Sequence, residues 1–179
     1  MALDVCLRAK EMLEPSVEVR LTREADEFVS LSGRAALANR GGADVFVSYH
    51  FNSGSSPKTA SSWEIFTTRG QNNSDRLATF IGLEHKALFP EQRMRADFSE
   101  GDLDKEANFA VLRLADCPAV LMEGEFIHTV HGEALIANGE NRQKMALAVM
   151  RGVLKFLHLG EVPVGTLEER VERLERLVL

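Results

Sequence analysis

The chain has 179 residues, 45% of them hydrophobic and 27% charged, with a formal net charge of −6, which is the composition of one globular domain and excludes a disordered chain. The acidic balance and the lack of a basic cluster argue against nucleic acid and anionic membrane surfaces as partners. Two cysteines, Cys6 and Cys117, cannot form a disulfide framework, and no apolar run is long enough for a transmembrane helix.

The first part of the chain predicts two helices and two strands. Residues 1–14 mix apolar and charged side chains, which indicates an amphipathic helix rather than a signal peptide, and Pro15 ends it. Residues 17–23 alternate apolar and polar side chains, the period of a strand. The segment 30–42 begins with a serine cap and ends on two glycines, which favours a helix. The apolar run 43–50 predicts a strand that is buried on both faces and ends in a histidine.

The second part continues the alternation of helices and strands. The pattern predicts strands at 62–68, 108–115 and 118–126, and helices at 72–90 and 140–159. This order predicts a single α/β domain with a mixed, mostly parallel, twisted sheet and helices on both of its faces. In such sheets ligands bind beyond the carboxyl ends of the strands.

The C-terminal tail differs in character from the rest of the chain. We divide the sequence into one main domain at 1–159 and a linker with a short helix at 160–179. Apolar residues of segment 166–179 recur at spacings of four, three and four, which is a coiled-coil stripe: Leu167, Val171, Leu174 and Val178. Such a short helix packs either on its own domain or against a second copy. We favour the second alternative, a homo-oligomer.

Two residues at predicted strand ends could carry chemistry. A lone histidine such as His50 is more often structural than a metal ligand. Glu123 follows four apolar residues, and burial raises the pKa of an unpaired carboxyl, which suits a general base near neutral pH. The structural alternative is an ion pair with Arg113 or Arg34. A metal ion and a carboxylate together can carry out hydrolysis, because the metal acidifies a water molecule and polarises a carbonyl while the carboxylate transfers protons.

Two blocks of sequence carry a resemblance to a known family. "VEVRLTREADEFVSLSGRAALANRGGADVFVSYHFNS" (17–53) and "NFAVLRLADCPAVLMEGEFI" (108–127) closely resemble zinc-dependent N-acetylmuramoyl-L-alanine amidases of type 3. The resemblance implies an α/β fold and cleavage of the amide bond between N-acetylmuramic acid and L-alanine in peptidoglycan, in the periplasm or outside the cell. It implies His50 as a zinc ligand and Glu123 as the catalytic glutamate. The alternative is a non-catalytic module of the same fold that binds peptidoglycan or a protein partner.

The resemblance also implies two zinc ligands that have no counterpart in this sequence. In the family, a histidine in a glycine-rich turn and then a glutamate precede the segment that matches residue 3 onward. We therefore expect a fragment or an internal start, a degenerate relative, or a chain with replacement ligands. The candidates for replacement are Glu125, His128 and His131, although such residues are more often polar side chains of the surface.

Three further positions match the family. Glu64 corresponds to a glutamate that is common in the equivalent strand, and its structural alternative is an ion pair on the strand face. Asn52 either braces the loop after His50 or contacts substrate. Asn39 is expected to fix the helix-to-strand connection through hydrogen bonds.

Overall fold

The computed structural model describes residues 1–54, 61–99 and 101–159, so the tail segment 160–179, with its predicted oligomerisation helix, lies outside the described residues. None of the helices in the described part is long and apolar enough to cross a membrane. In chain order the elements are α1 (Ala2–Leu13), α2 (Leu31–Arg40), β1 (Phe46–Asn52), β2 (Ser62–Thr67), α3 (Asn73–Leu88), β3 (Arg93–Met94), β4 (Lys105–Glu106), α4 (Ala110–Arg113), β5 (Ala119–Phe126), α5 (Val130–Ala137) and α6 (Gly139–Phe156).

The sheet has β5 near its centre. Strand order is β1-β5-β2-β3, and β4 also pairs with β2. β5 runs parallel to β1 and antiparallel to β2, while β2 runs parallel to β3 and β4. The predicted mixed, mostly parallel sheet is therefore confirmed. Because β5 has a neighbour on each side and helices above and below, its first four residues are all buried.

Helices cover both faces of the sheet, as predicted. Successive residues of a strand point to opposite faces, and β5 shows this clearly. Val120 and Met122 belong to the larger core with α1, α3 and α6. Ala119 and Leu121 belong to a smaller cluster with α2 and α4. Residues of β5 at odd positions therefore continue the face that α2 and α4 cover.

The long helices form for reasons that are visible in the sequence. Asn72 and the third residue of α3, Asp75, make a reciprocal capping box, and Asn138 caps α6. α3 and α6 approach each other closely at Gly152. A Cβ added to this glycine would lie only 2.7 Å from the backbone nitrogen of Ile81. Glycine at this point lets the two helices cross with their backbones nearly in contact.

Two predicted strands are wrong. Residues 17–23 form no ladder, since no strand in the described ranges pairs with them, although burial alternates along 17–21. Val17 and Val19 pack against the core instead. Residues 108–115 contain the single turn α4, whose Val111 and Leu112 are both buried beneath α2. Local periodicity cannot reveal either outcome, because a strand also needs a partner.

Asn39 has a structural role made of hydrogen bonds, as predicted, but it fixes a different connection from the one expected between α2 and β1. Its side chain donates to the Leu114 carbonyl at 2.8 Å and accepts from the Asp116 amide at 3.0 Å. It therefore joins α2 to the turn that precedes β5, and not to β1. The turn so fixed leads directly into the central strand.

Candidate active site

Three side chains form a row across the sheet. In the strand register His50 of β1 lies beside Glu123 of β5, and Glu64 of β2 lies opposite Glu123. Residues in register on neighbouring strands point to the same face, so the three side chains share one surface. The sequence predicts His50 and Glu123 at strand ends, whereas the structure places both inside the C-terminal halves of β1 and β5, side by side.

Glu123 occupies the middle of this row. It is half-buried, and its Oε2 is buried with no hydrogen-bond partner among the described residues. Burial, and then the neighbouring charge of Glu64, raise the pKa of Glu123 to about 7. The alternative ion pair is not formed, because Arg113 donates to Asn108 and Arg34 to the Val29 carbonyl. Glu123 is thus a carboxyl that can hold or release a proton near neutral pH.

Glu64 is a buried carboxylate with three partners. It is 4% exposed, and it accepts hydrogen bonds from Asn52 Nδ2 at 2.6 Å and Lys105 Nζ at 2.7 Å. Arg95 Nε lies 3.4 Å from the same carboxylate. Paired cations explain why a charge is tolerated at this depth. The ion pair predicted as the structural alternative is therefore present, and Asn52 braces Glu64 across the sheet.

His50 is half-buried at the edge of the row. Its Nε2 lies 3.0 Å from the Ser48 hydroxyl. Burial, and then the positive charges of Arg34 and Arg23, lower the pKa of His50 below its ordinary value. The imidazole is therefore neutral at physiological pH, which is the form that binds metals.

The three candidates for replacement ligands do not come together. Glu125 is fully buried, so its expected place on the surface is wrong. His128 is half-buried, and its Nδ1 accepts from the Gly54 amide at 3.1 Å. His131 is exposed in the first turn of α5. Burial of Glu125 could have been anticipated, because it lies within a strand that is enclosed on both faces.

Zinc does not fit the described residues as a complete site. Catalytic zinc takes three protein ligands and keeps an open position. Over residues 1–54, 61–99 and 101–159, no three histidine, cysteine or acidic side chains are grouped so as to hold a metal ion. His50 could supply one metal ligand, because its imidazole is neutral. The carboxylate of Glu64 is already ion-paired with Lys105 and Arg95.

A cavity of about 400 Å³ lies next to the row, on the side of β4. Lys105, the partner of Glu64, forms part of its wall, and so does Phe66, two residues along β2. The remaining lining residues are polar or charged: Arg69, Gln71, Asp75, Asp97, Ser99, Asp102, Asp104 and Glu106. The sequence does not predict this cavity, because β4 is too short to give a periodic signal.

A family model described as N-acetylmuramoyl-L-alanine amidase, type 3, matches residues 1–155. The chain belongs to this amidase family. A crystal structure of N-acetylmuramoyl-L-alanine amidase from Clostridium difficile 630 superposes with a TM-score of 0.79 at 30% identity, over 87% of this chain and 81% of that one. The α/β fold expected from the resemblance is thereby confirmed.

Curated relatives of this amidase-family chain come from a bacterium and from a phage. N-acetylmuramoyl-L-alanine amidase AmiA of Escherichia coli K12 is 26% identical over 79% of this chain. The endolysin of Bacillus phage SPP1 is 27% identical over 96% of it. The chain spans 62% of the length of each of these two relatives.

Proposed function

We propose that this chain is a peptidoglycan hydrolase that cleaves the amide bond between N-acetylmuramic acid and L-alanine. The observation that carries the proposal is Glu123, a half-buried carboxyl beside His50 in a chain of the amidase family. Its Oε2 has no hydrogen-bond partner among the described residues. The names of the bacterial and phage relatives support cell-wall peptidoglycan as the substrate. The proposed place of action is accordingly the periplasm or the outside of the cell.

Glu123 is proposed as the group that moves the proton. Its carboxylate accepts a proton from water as the water oxygen bonds to the amide carbon. The protonated carboxyl then donates that proton to the leaving nitrogen as the carbon–nitrogen bond breaks, so the residue returns to its starting form. A pKa of about 7 leaves both forms of Glu123 populated at neutral pH, which such a double role requires.

Glu64 and Asn52 are proposed to act through Glu123 and not on the substrate directly. The charge of Glu64 contributes to the raised pKa of Glu123. Asn52, Lys105 and Arg95 hold the Glu64 carboxylate in its place. The row thus keeps its central carboxyl ready to take up a proton.

His50 is proposed as one ligand of a zinc ion whose other ligands are not among the described residues. Members of the family are generally zinc-dependent. Bound zinc acidifies a water molecule and polarises a carbonyl. If His50 is a ligand, the purified chain retains more zinc than the His50→Ala variant after dialysis, measured by elemental mass spectrometry. Equal and negligible zinc in both would remove His50 from the proposal.

The bond that is cut can be identified directly. Purified peptidoglycan is digested with the full chain in the presence of zinc, and the released peptides are sequenced by mass spectrometry. The proposal predicts peptides with a new free amino terminus on L-alanine and glycan strands whose lactyl groups now end in a free carboxyl group. Release of peptides cut at another bond would overturn the assignment. Tight retention on peptidoglycan with no release would identify a binding module instead.

A further inference from the structure

Glu125 is a fully buried carboxylate that lies two residues after Glu123. Its Oε1 accepts from the Ser62 amide at 3.1 Å and from the Phe126 amide at 2.8 Å. Its Oε2 accepts from the Ser61 hydroxyl and from Gln92 Nε2, the latter at 2.8 Å. Four donors surround this carboxylate, and none of these four is a cation, which is uncommon for a fully buried acid.

This carboxylate completes the pairing of β2 with β5. The antiparallel ladder runs from Phe66 opposite Leu121 to Glu64 opposite Glu123. Beyond Glu123 strand β5 is irregular, since its register with β1 shifts between His50 and Asn52. At that point the Ser62 amide is bonded to the side chain of Glu125. The side chain thus holds the end of the ladder immediately beyond the pair Glu64 and Glu123.

A second connection anchors Glu125 to α3. Gln92 donates to Glu125 through Nε2, and its Oε1 lies 2.8 Å from Nε2 of His85. His85 is fully buried between the rings of Trp63 and Phe89, at centroid distances of 4.9 and 4.8 Å. The amide of Gln92 is therefore fixed at both of its ends. Through it, the end of β5 is tied to the helix layer as well as to β2.

We propose that Glu125 is a positioning residue: it holds the start of β2 against the end of β5, so that Glu64 stays opposite Glu123 at the reacting position. Loss of this carboxylate frees the Ser62 amide and releases the end of the ladder. Glu64 and Glu123 then lose their fixed separation. The kinetic consequence rests on the proposed function, whereas the structural consequence does not.

The test compares Glu125→Ala and Glu125→Gln with Glu133→Ala, a control at an exposed glutamate of α5. Amide hydrogen exchange is followed in β2 and in α6. In Glu125→Ala we expect the β2 amides to exchange about tenfold faster or more, and the α6 amides to stay within about threefold of wild type. Glutamine keeps an acceptor for the Ser62 amide, so Glu125→Gln should recover part of the protection of β2. The control should match wild type.

Turnover supplies the second measurement. A misplacement of about 1 Å costs up to about 100-fold in rate, so kcat should fall by about 10- to 100-fold in Glu125→Ala with KM within about threefold. Glu125→Gln should fall between that variant and wild type.

Three results overturn the inference. They are unchanged exchange in β2, equal acceleration in β2 and α6, and a loss of kcat/KM that lies wholly in KM. If Glu125→Ala does not fold, Glu125→Gln still decides, because the inference requires its β2 amides to exchange faster relative to α6. Absence of turnover in the wild-type chain would defeat the proposed function, and the exchange experiment would still decide the role of Glu125.

Discussion

His85 predicts a specific dependence of stability on pH. The side chain is fully buried, its Nδ1 has no hydrogen-bond partner among the described residues, and burial lowers the pKa of His85 to about 4. In the unfolded chain the ordinary value of 6.5 applies. Between these values the unfolded state binds a proton that the folded state does not. The contribution of His85 to stability is therefore complete above pH 6.5 and is lost progressively as pH falls toward 4.

The size of the effect follows from the difference between the two pKa values. A separation of about 2.5 pH units, at about 1.36 kcal/mol per unit, amounts to about 3 kcal/mol of unfolding free energy. Glu123 and Asp104 oppose it, since burial raises their pKa values to about 7 and about 6, so that their folded forms bind more protons. Their contributions must be removed by comparison.

The comparison uses His85→Gln, which does not titrate at this position. Urea unfolding of wild type and variant is measured from pH 4.5 to pH 7.5, and the difference in unfolding free energy is taken at each pH. The contributions of Glu123 and Asp104 cancel in that difference. We expect wild type to lose about 2–3 kcal/mol relative to the variant at the acid end. A difference that does not change with pH would refute the assignment of a buried, neutral His85.

Three further substitutions test the packing and the charges of the site. Gly152→Ala should lower the free energy of unfolding by about 1–3 kcal/mol, because its new methyl group meets the backbone of α3. The control Gly139→Ala, at the start of α6, should not lower it, because the space beside its Cβ is open. Lys105→Met should cost about 1–2 kcal/mol, since it leaves the buried Glu64 with one cation fewer. Lys144→Met, at an exposed position of α6, should cost less than about 0.5 kcal/mol. In metal-free protein, Glu123→Gln should raise stability by about 1–2 kcal/mol at pH 8 and change it little at pH 5, because the carboxyl is costly to ionise where it is half-buried and partly screened by solvent. Urea unfolding checks all three, and equal effects in each matched pair, or no gain for Glu123→Gln at pH 8, would contradict them.

Helices α1, α2, α3 and α6 and the central strand β5 could be predicted because their signals are local, whereas α5 was not predicted. Ser30 and Asn72 cap α2 and α3 at the predicted places, and an apolar run marks β5. The errors arise where a neighbour decides the outcome. Residues 17–23 have the period of a strand, but no partner lies beside them in the described part of the chain. Residues 108–115 contain the helical turn α4 instead of a strand. The adjacent residues Val111 and Leu112 are both buried against α2, whereas neighbouring residues of a strand would point to opposite faces.

The site was predictable to a similar extent. The C-terminal halves of neighbouring parallel strands lie side by side, so the proximity of His50 and Glu123 follows from their similar positions along β1 and β5. Glu64 enters the row because β2 runs antiparallel to β5, and strand direction cannot be derived from sequence alone. The hydrogen-bond partners of Glu125 could not be predicted for the same reason, since they come from the start of β2 and from the residue before β3.

The central claim is that Glu123 moves the proton in amide hydrolysis. The most direct test is the rate at which new L-alanine amino termini appear when zinc-supplied Glu123→Gln acts on purified peptidoglycan, with wild type and Glu133→Gln in parallel. Loss of a general acid–base group costs about 100- to 10,000-fold in rate, so we predict a loss of this size in Glu123→Gln, with binding to peptidoglycan unchanged, and none in the control. A Glu123→Gln variant that cleaves as fast as wild type would contradict the account.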